Sequence, residues 1–218
     1  MWRRWLLVLT ASVVLVTACV QDDTATTAAA ASPVTIMHIG EGVTQGDWAN
    51  STYRCFLDAM LHDTGVAFDF VGSRQKPADG YEYTCPSDFD QDHEAWAGAQ
   101  IGGLETDMMT QSAQRLASFI TDVQQVNPDI TLLIGSLIPC RTPLPWCTED
   151  YPVFNDAIAS FGNLSTDESM VIVVDMTTGM STDLLRSNNL EFTDAGDEVM
   201  ASRWMTALEE SVVISTGS

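Results

Sequence analysis

The chain has 218 residues, of which 45% are apolar, and its formal net charge is −21 at pH 7. This length favours one domain with a core of its own. So large a negative charge disfavours binding to nucleic acid or to anionic lipid head groups, since both are themselves anionic. The composition does not identify a ligand.

The N-terminus has the pattern of an export signal. Arg3 and Arg4 precede an apolar run from Leu6 to Val16, and small residues follow it. The run is too short to cross a bilayer as a helix, so residues 1–19 are predicted to be a cleaved signal. Residues 20–33 are predicted to be a flexible tether, and 34–213 the folded domain.

The last residues of this signal, Leu15 to Cys19, resemble the lipobox of bacterial lipoproteins. The resemblance implies that Cys19 is lipidated and becomes the mature N-terminus, so that the protein is attached to the membrane through its lipid anchor only. The alternative is an ordinary signal peptidase site with a chance cysteine, which would give a secreted protein. Either way, we expect an exported protein.

Four cysteines remain in the predicted domain and suggest two disulfides in an oxidising compartment. Cys140 and Cys147 bracket a proline-rich turn, so we pair them with each other and pair Cys55 with Cys85. Three connectivities are formally open. The chain has no Cys-x-x-Cys pair, which disfavours a zinc site, and we expect neither metal nor cofactor.

Predicted strands and helices alternate along the domain. Apolar stripes at helical spacing begin at Tyr53 and at Met109 and end near Gly65 and before Asn127-Pro128. The other elements are strands at 34–39, 66–71, 130–138 and 170–175, a short helix at 152–161, and a closing helix through Ala201, Met205, Leu208 and Val212. This alternation predicts an α/β domain with a parallel sheet, whose sites lie at the carboxyl ends of the strands.

Two stretches at opposite ends of the domain resemble the opening and closing blocks of the SGNH/GDSL hydrolases. The first is Ile36 to Gly46, followed by Ser51 to Arg54 and Phe68 to Ser73; the second is Asn188 to Gly196. A middle stretch, Asp88 to Gly98, resembles the Asp-x-Asp-x-Glu-Gly-x-x-Gly block of the secreted acetylxylan-esterase-like branch. The resemblance implies a three-layer, flavodoxin-like fold.

The resemblance also implies a sheet that is one strand short, with four strands instead of five. The family's third strand ends in a Gly-x-Asn-Asp block that supplies an asparagine to the oxyanion hole, and Gly102 to Glu105 lead directly into the helix that follows this block. In another register Ile134 to Leu137 would be a degenerate third strand, but Ser136 to Pro139 fit the fourth strand better. If the strand is absent, we expect the sheet to close up.

The catalytic positions are not retained. The resemblance places the nucleophile at Gly42, the acid at Asn188 and the base at Glu191, while Gly98 would be the retained glycine of the oxyanion hole. A serine hydrolase needs a hydroxyl, an imidazole to deprotonate it, an acid to orient the imidazole and donors for the oxyanion. Glycine, asparagine and glutamate do not provide the first three.

Two other groups are candidates for chemistry. Thr44 follows the missing serine by two residues, although a bond within its own turn is the better interpretation. Glu41 and Glu191 would face the same mouth, where two carboxylates could do acid–base work. His38 is predicted to be a core residue, and His62 and His93 to have solvated or capping roles.

The sequence therefore predicts an exported, catalytically degenerate SGNH-fold protein that binds a carbohydrate or acylated ligand. Two alternatives are open. One is a carbohydrate or acyl esterase that uses non-family residues, and the other is a cell-surface interaction protein that uses its acidic face.

Overall fold

A computed structural model describes residues 13–17, 33–46, 52–77, 82–97, 106–139, 146–186 and 191–211, the first range by its backbone alone. Its strands are β1 (Val13–Thr17), β2 (Val34–Gly40), β3 (Phe68–Val71), β4 (Glu94–Ala95), β5 (Ile130–Gly135) and β6 (Val171–Val174). Its α-helices are α1 (Gly42–Gln45), α2 (Tyr53–Thr64), α3 (Thr106–Val126), α4 (Tyr151–Ile158) and α5 (Asp194–Glu210). Short 3-10 turns cover Phe161–Leu164 and Thr182–Leu184, and a π-helical turn covers Trp146–Asp150.

The helix boundaries follow the sequence signals. Helix α2 ends at Gly65, whose left-handed φ of 72° favours a residue without a Cβ. Helix α3 stops before Asn127-Pro128, as predicted, because a proline disfavours helical geometry in the residue before it. Helix α5 begins inside the closing block, where the side chain of Thr193 accepts a hydrogen bond from the N–H of Gly196.

The main sheet has the strand order β3-β2-β1-β5-β6. The pairs β2–β3 and β5–β6 are parallel, and β1 is antiparallel to both of its neighbours, so β2, β3, β5 and β6 all point the same way. The two residues of β4 pair in parallel with the end of β2, beyond β3. The predicted set of four parallel strands is confirmed.

The two faces of the sheet are covered by different helices. Residues of α2 and α5 form one apolar cluster with Ile36, Phe70 and Leu133. Residues of α3 and α4 form the other with Ile39 and Leu132. These are the three layers of an α/β domain, as predicted.

The expectation that the sheet closes up is wrong. Strands β2 and β5 do not pair with each other, because β1 lies between them and pairs with both. Strand β5 thus holds the fourth place in a flavodoxin-like order of 2-1-3-4-5, and β1 holds the third. This placement supports the register in which Ser136 to Pro139 follow the fourth strand.

One predicted disulfide is confirmed. Cys55 and Cys85 are bonded, with their Cα atoms 5.7 Å apart, and the bond joins α2 to the loop before β4. Cys147 also takes part in a disulfide. Its predicted partner, Cys140, lies outside the described residues, so this pairing stays a prediction.

Most of the predicted N-terminal features also lie outside the described residues. These are residues 1–12 of the signal, the lipidation site Cys19 and the tether up to residue 32. Within the described part of the chain, no helix is long and apolar enough to cross a bilayer.

Candidate functional site

The candidate site lies where β2 and β4 end. Strand β2 ends at Gly40, and the N–H of Trp96 donates to the carbonyl of Gly40 at 3.0 Å. The side chain of the buried Gln45 joins the two segments, since its Oε1 accepts from the N–H of Ala97 at 2.6 Å. Helix α1 and the Trp96–Ala97 segment therefore meet at the carboxyl edge of the sheet, where α/β folds place their sites. We call this place the mouth.

Gly42, which is predicted to stand at the nucleophile position, is the first residue of α1 at the mouth. A Cβ atom built onto Gly42 would lie 3.8 Å from the Cβ of Ala97, which is an ordinary contact, and Gly42 is not among the glycines with a positive φ. Neither space nor backbone geometry requires glycine here.

Glu41 caps the N-terminus of α1. Its Oε1 accepts a hydrogen bond from the N–H of Val43 at 3.4 Å, and the N–H of Gly42 also interacts with this carboxylate. Burial raises the pKa of Glu41, and the two N–H groups oppose that rise. Backbone N–H groups of this kind hold the oxyanion in acyl-transfer enzymes. Here a carboxylate of the chain already uses them.

Tyr151, the first residue of α4, is electrostatically coupled to Glu41. Burial and, to a smaller extent, the negative charge of Glu41 together raise the pKa of Tyr151 to about 12. The phenol therefore stays protonated at neutral pH. A neutral phenol is a hydrogen-bond donor and not a base.

Glu191, which is predicted to stand at the base position, lies beside a cation. Its Oε2 lies 4.0 Å from Nε of Arg186, and its carbonyl accepts from the N–H of Arg186 at 2.8 Å. Asp194 lies 3.8 Å from the same guanidinium. Glu191 therefore belongs to an ion-pair group before α5. The structure places Glu41 at the N-cap of α1 and Glu191 beside Arg186, and Asn188 and Gly98 lie outside the described residues.

Thr44 is wholly buried beneath the mouth. Its carbonyl accepts hydrogen bonds from Nε of Arg54 at 2.8 Å and from Oγ1 of Thr52 at 3.4 Å. A residue held in this way fixes the turn after β2. Because its side chain does not reach solvent, it is badly placed to attack a substrate.

Arg54 is a fully buried cation that binds backbone carbonyls on both sides of the mouth. It donates to the carbonyls of Thr44 and Gln45 on α1 and to those of Gln91 and Asp92 in the loop before β4. It also donates to the hydroxyl of Tyr83 at 2.6 Å, and its guanidinium lies 5.3 Å from the centre of the Tyr83 ring. The planar fork of arginine suits several acceptors at once. Arg54 therefore stabilises the framework of the mouth.

His93 is also part of this framework. Its Nδ1 accepts from the N–H of Ala95 at 3.0 Å, so its Nε2 carries the proton and donates to the carbonyl of Lys76 at 3.2 Å. Burial lowers the pKa of His93 to about 3, and the charge of Arg54 adds to this effect. The imidazole is neutral and fully buried, so the predicted solvated or capping role is wrong for His93.

The other two histidines behave as predicted. His38 is buried between the rings of Tyr53 and Phe70, and burial holds its pKa well below the ordinary value. His62 lies in the last turn of α2 and contacts Asp58, and its hydrogen bond to the Asp58 carbonyl raises its pKa. Neither residue lies at the mouth.

Trp96 is the residue at the mouth that sequence reasoning missed. Its side chain is 61% exposed, and the guanidinium of Arg74 lies 4.1 Å from the centre of its ring. Arg74 is fixed by two backbone hydrogen bonds with His93, at 2.9 and 3.1 Å. The only signal in the sequence is a tryptophan inside the middle block, Asp88 to Gly98.

No metal centre is found within the described ranges. No group of three or more His, Cys, Asp or Glu side chains among those residues could hold a metal ion.

The whole architecture resembles solved carbohydrate esterases. A family 3 carbohydrate esterase from Talaromyces cellulolyticus is 19% identical, with a TM-score of 0.64 over 81% of this chain and 97% of that one. The fold is that of the SGNH hydrolases. A family 3 carbohydrate esterase from Clostridium thermocellum is 20% identical, with a TM-score of 0.60 over 82% and 96% of the two chains.

A third similar structure is a mutant acetyl esterase with an acetate ion. It is 19% identical, with a TM-score of 0.62 over 80% of this chain and 97% of that one. Neither a family model nor a curated protein sequence matches the chain. At these identities the likeness establishes the fold and leaves the chemistry to the residues of the mouth.

Proposed function

We propose that this protein is an SGNH-fold carbohydrate-binding protein that has lost ester hydrolysis. The observation that carries the proposal is the arrangement of Glu41 and Gly42. At the position of the nucleophile there is no side chain, and the carboxylate next to it interacts with the N–H groups of Gly42 and Val43.

This arrangement opposes acyl transfer in two ways. Without a hydroxyl at Gly42 no acyl-enzyme forms at this position. An ionised carboxylate on the N–H groups also repels the negative charge that develops on the carbonyl oxygen of an ester, so the transition state is destabilised where a hydrolase stabilises it.

Trp96 and Arg74 support a binding role for the same mouth. A tryptophan offers a large flat apolar surface, and Arg74 beneath it limits the freedom of the ring. A single exposed aromatic side chain is common on protein surfaces, so it is the position of Trp96 next to Gly40 and Ala97 that supports the proposal. The ligand class, a neutral or acetylated sugar chain, is suggested by the carbohydrate esterases of the same fold.

We also propose that the protein is exported. The disulfide between Cys55 and Cys85 supports this, because such bonds persist in oxidising compartments. Lipidation of Cys19 remains part of the proposal and is tested by mass spectrometry of the mature N-terminus. An N-terminus without a lipid would leave a secreted protein.

Binding is tested by titration calorimetry with xylo-oligosaccharides, acetylated and plain. We expect saturable binding by the wild type and at least a tenfold weaker Kd in Trp96→Ala. Val126→Ala is the matched control, since Val126 is an exposed apolar residue at the far end of α3. Equal binding by wild type and Trp96→Ala, or no binding by the wild type, would refute the proposed site.

A second candidate is an esterase that uses Glu41 as its acid–base group. The raised pKa of Glu41 favours it, because a carboxyl group with a raised pKa exchanges protons more readily near neutral pH. This alternative predicts turnover that is lost in Glu41→Gln.

A further inference from the structure

The slot between β2 and β5 is occupied by a segment of the predicted export signal. Val13 to Thr17 pair along their whole length with Ile39 to Thr35 on one side and with Ile134 to Ile130 on the other. The segment is therefore central and not an edge strand. Sequence reasoning had assigned the same residues to a peptide that is removed.

Removal of the strand from this slot would destabilise the sheet. Neighbouring strands lie about 4.8 Å apart, so β2 and β5 on either side of a missing strand would be roughly twice that distance apart and could not bond to each other. Ile36, Leu132, Leu133 and Ile134 beside the slot are fully buried. Their backbone polar groups would lose their partners in a dry environment.

The sequence of the segment suits a central strand. Its residues are Val-Val-Leu-Val-Thr, of which four are β-branched and none is charged. Residues of this type favour the pleated, buried environment of a strand covered on both faces.

The antiparallel direction also has a physical reason. Thr17 is level with Thr35, so β1 ends at the edge of the sheet where β2 begins. The connection from β1 to β2 therefore begins and ends at the same edge of the sheet. A parallel strand would require a connection that crosses the length of the sheet.

We propose that the slot between β2 and β5 is a strand-binding site whose occupant is the Val13–Thr17 strand, bound in cis in the full chain and able to bind in trans when it is supplied separately. Processing at Cys19 and completion of the sheet in cis then exclude each other. A chain that has been cleaved at Cys19 must bind an apolar, β-branched strand of similar sequence in the slot to complete its sheet. This inference is independent of the proposed carbohydrate binding.

Hydrogen exchange on the full chain tests the cis arrangement. We expect the amides of residues 13–17 to exchange at least a hundredfold more slowly than in an unstructured peptide, as the amides of β5 do. Fast exchange at 13–17 together with slow exchange in β2 and β5 would overturn the proposal.

The trans arrangement is tested with Leu15→Pro in the full chain, since proline removes a backbone donor from a central strand. We expect β2 and β5 to lose protection, and to regain it when a peptide of residues 11–18 is added during refolding. The same peptide with Leu15→Pro should have no effect, and Ala30→Pro in the predicted tether is the matched control. Unchanged protection in Leu15→Pro, or no rescue by the peptide, would contradict the proposal.

Discussion

A Cβ atom at Gly42 would meet the Cβ of Ala97 at 3.8 Å, an ordinary van der Waals contact. The mouth therefore has room for a Cβ atom at this position. The carboxylate of Glu41 interacts with the neighbouring N–H groups, and Glu191 lies beside Arg186.

Gly42→Ser is expected to fold and to remain inactive. A serine hydroxyl without a base is not deprotonated near neutral pH, and members of a catalytic triad act as a unit. Adding Asn188→Asp and Glu191→His would still leave the oxyanion without the asparagine donor that the resemblance implies, which is worth about 3 kcal/mol or roughly a hundredfold in rate. The checks are fluorophosphonate labelling and acetyl ester hydrolysis, with Gly42→Ala as the steric control. Labelling of Gly42→Ser alone would contradict this expectation.

Removing the Cys55–Cys85 bond should destabilise the domain. The bond closes a loop with a sequence separation of 30, and loss of such a constraint costs about 2–4 kcal/mol. The double variant Cys55→Ala with Cys85→Ala should therefore melt roughly 5–15 °C lower than the wild type. Thermal unfolding followed by circular dichroism measures the Tm. A reductant should lower the Tm of the wild type by breaking the Cys55–Cys85 bond, and the variant, which lacks this bond, should not show that part of the shift. An unchanged Tm in the variant would show that the bond does not constrain the unfolded chain.

Arg54→Lys should destabilise the mouth nearly as much as Arg54→Met. The guanidinium binds carbonyls on α1 and in the loop before β4, and a lysine ammonium has fewer donors and no planar fork. Leaving buried carbonyls without donors costs about 1–3 kcal/mol each. Urea unfolding gives the free energies. Arg115→Lys, at an exposed position of α3, serves as the control, and full stability of Arg54→Lys would show that charge alone is sufficient.

Much of the fold follows from the sequence, because the helices depend on local features. Apolar stripes mark the buried helix faces, and Gly65 and Asn127-Pro128 mark the ends of α2 and α3. The Cys55–Cys85 pairing follows once Cys140 and Cys147 are paired across their proline-rich turn. The place of β1 in the sheet does not follow from the sequence. An apolar run of eleven residues after two arginines has the same composition as an export signal, and its role as a strand is seen only from its place between β2 and β5. The catalytic positions assigned to Gly42, Asn188 and Glu191 stay predictions. Trp96 is not found from the sequence, because its exposure depends on how the loop after β4 lies against Gly40.

Acid should destabilise the domain through its buried histidines. The pKa of His93 is about 3 in the folded protein against an ordinary value of 6.5, so only the unfolded chain gains a proton between these values. The contribution of neutral His93 to stability is therefore complete above pH 6.5 and is lost as the pH falls from 6.5 towards 3, by up to about 1.4 kcal/mol per pH unit.

His93→Gln should flatten this dependence, since glutamine keeps a donor and does not titrate. The free energy of unfolding by urea, measured from pH 7.5 to 4.5, gives the slope for variant and wild type. His62→Gln is the matched control with the opposite sign: the pKa of His62 is raised, so its contribution is present at low pH and is lost as the pH rises through that pKa. Equal slopes for His93→Gln and the wild type would show that His93 does not couple to folding.

The most direct measurement is a proton NMR time course of the unmodified protein with an acetylated xylo-oligosaccharide. It reports binding, as shifts of the sugar resonances, and hydrolysis, as free acetate, in one sample. We predict saturable shifts that weaken in Trp96→Ala and no acetate beyond the rate in buffer. Acetate release that is proportional to protein concentration and is abolished by Glu41→Gln would contradict the account and establish an esterase.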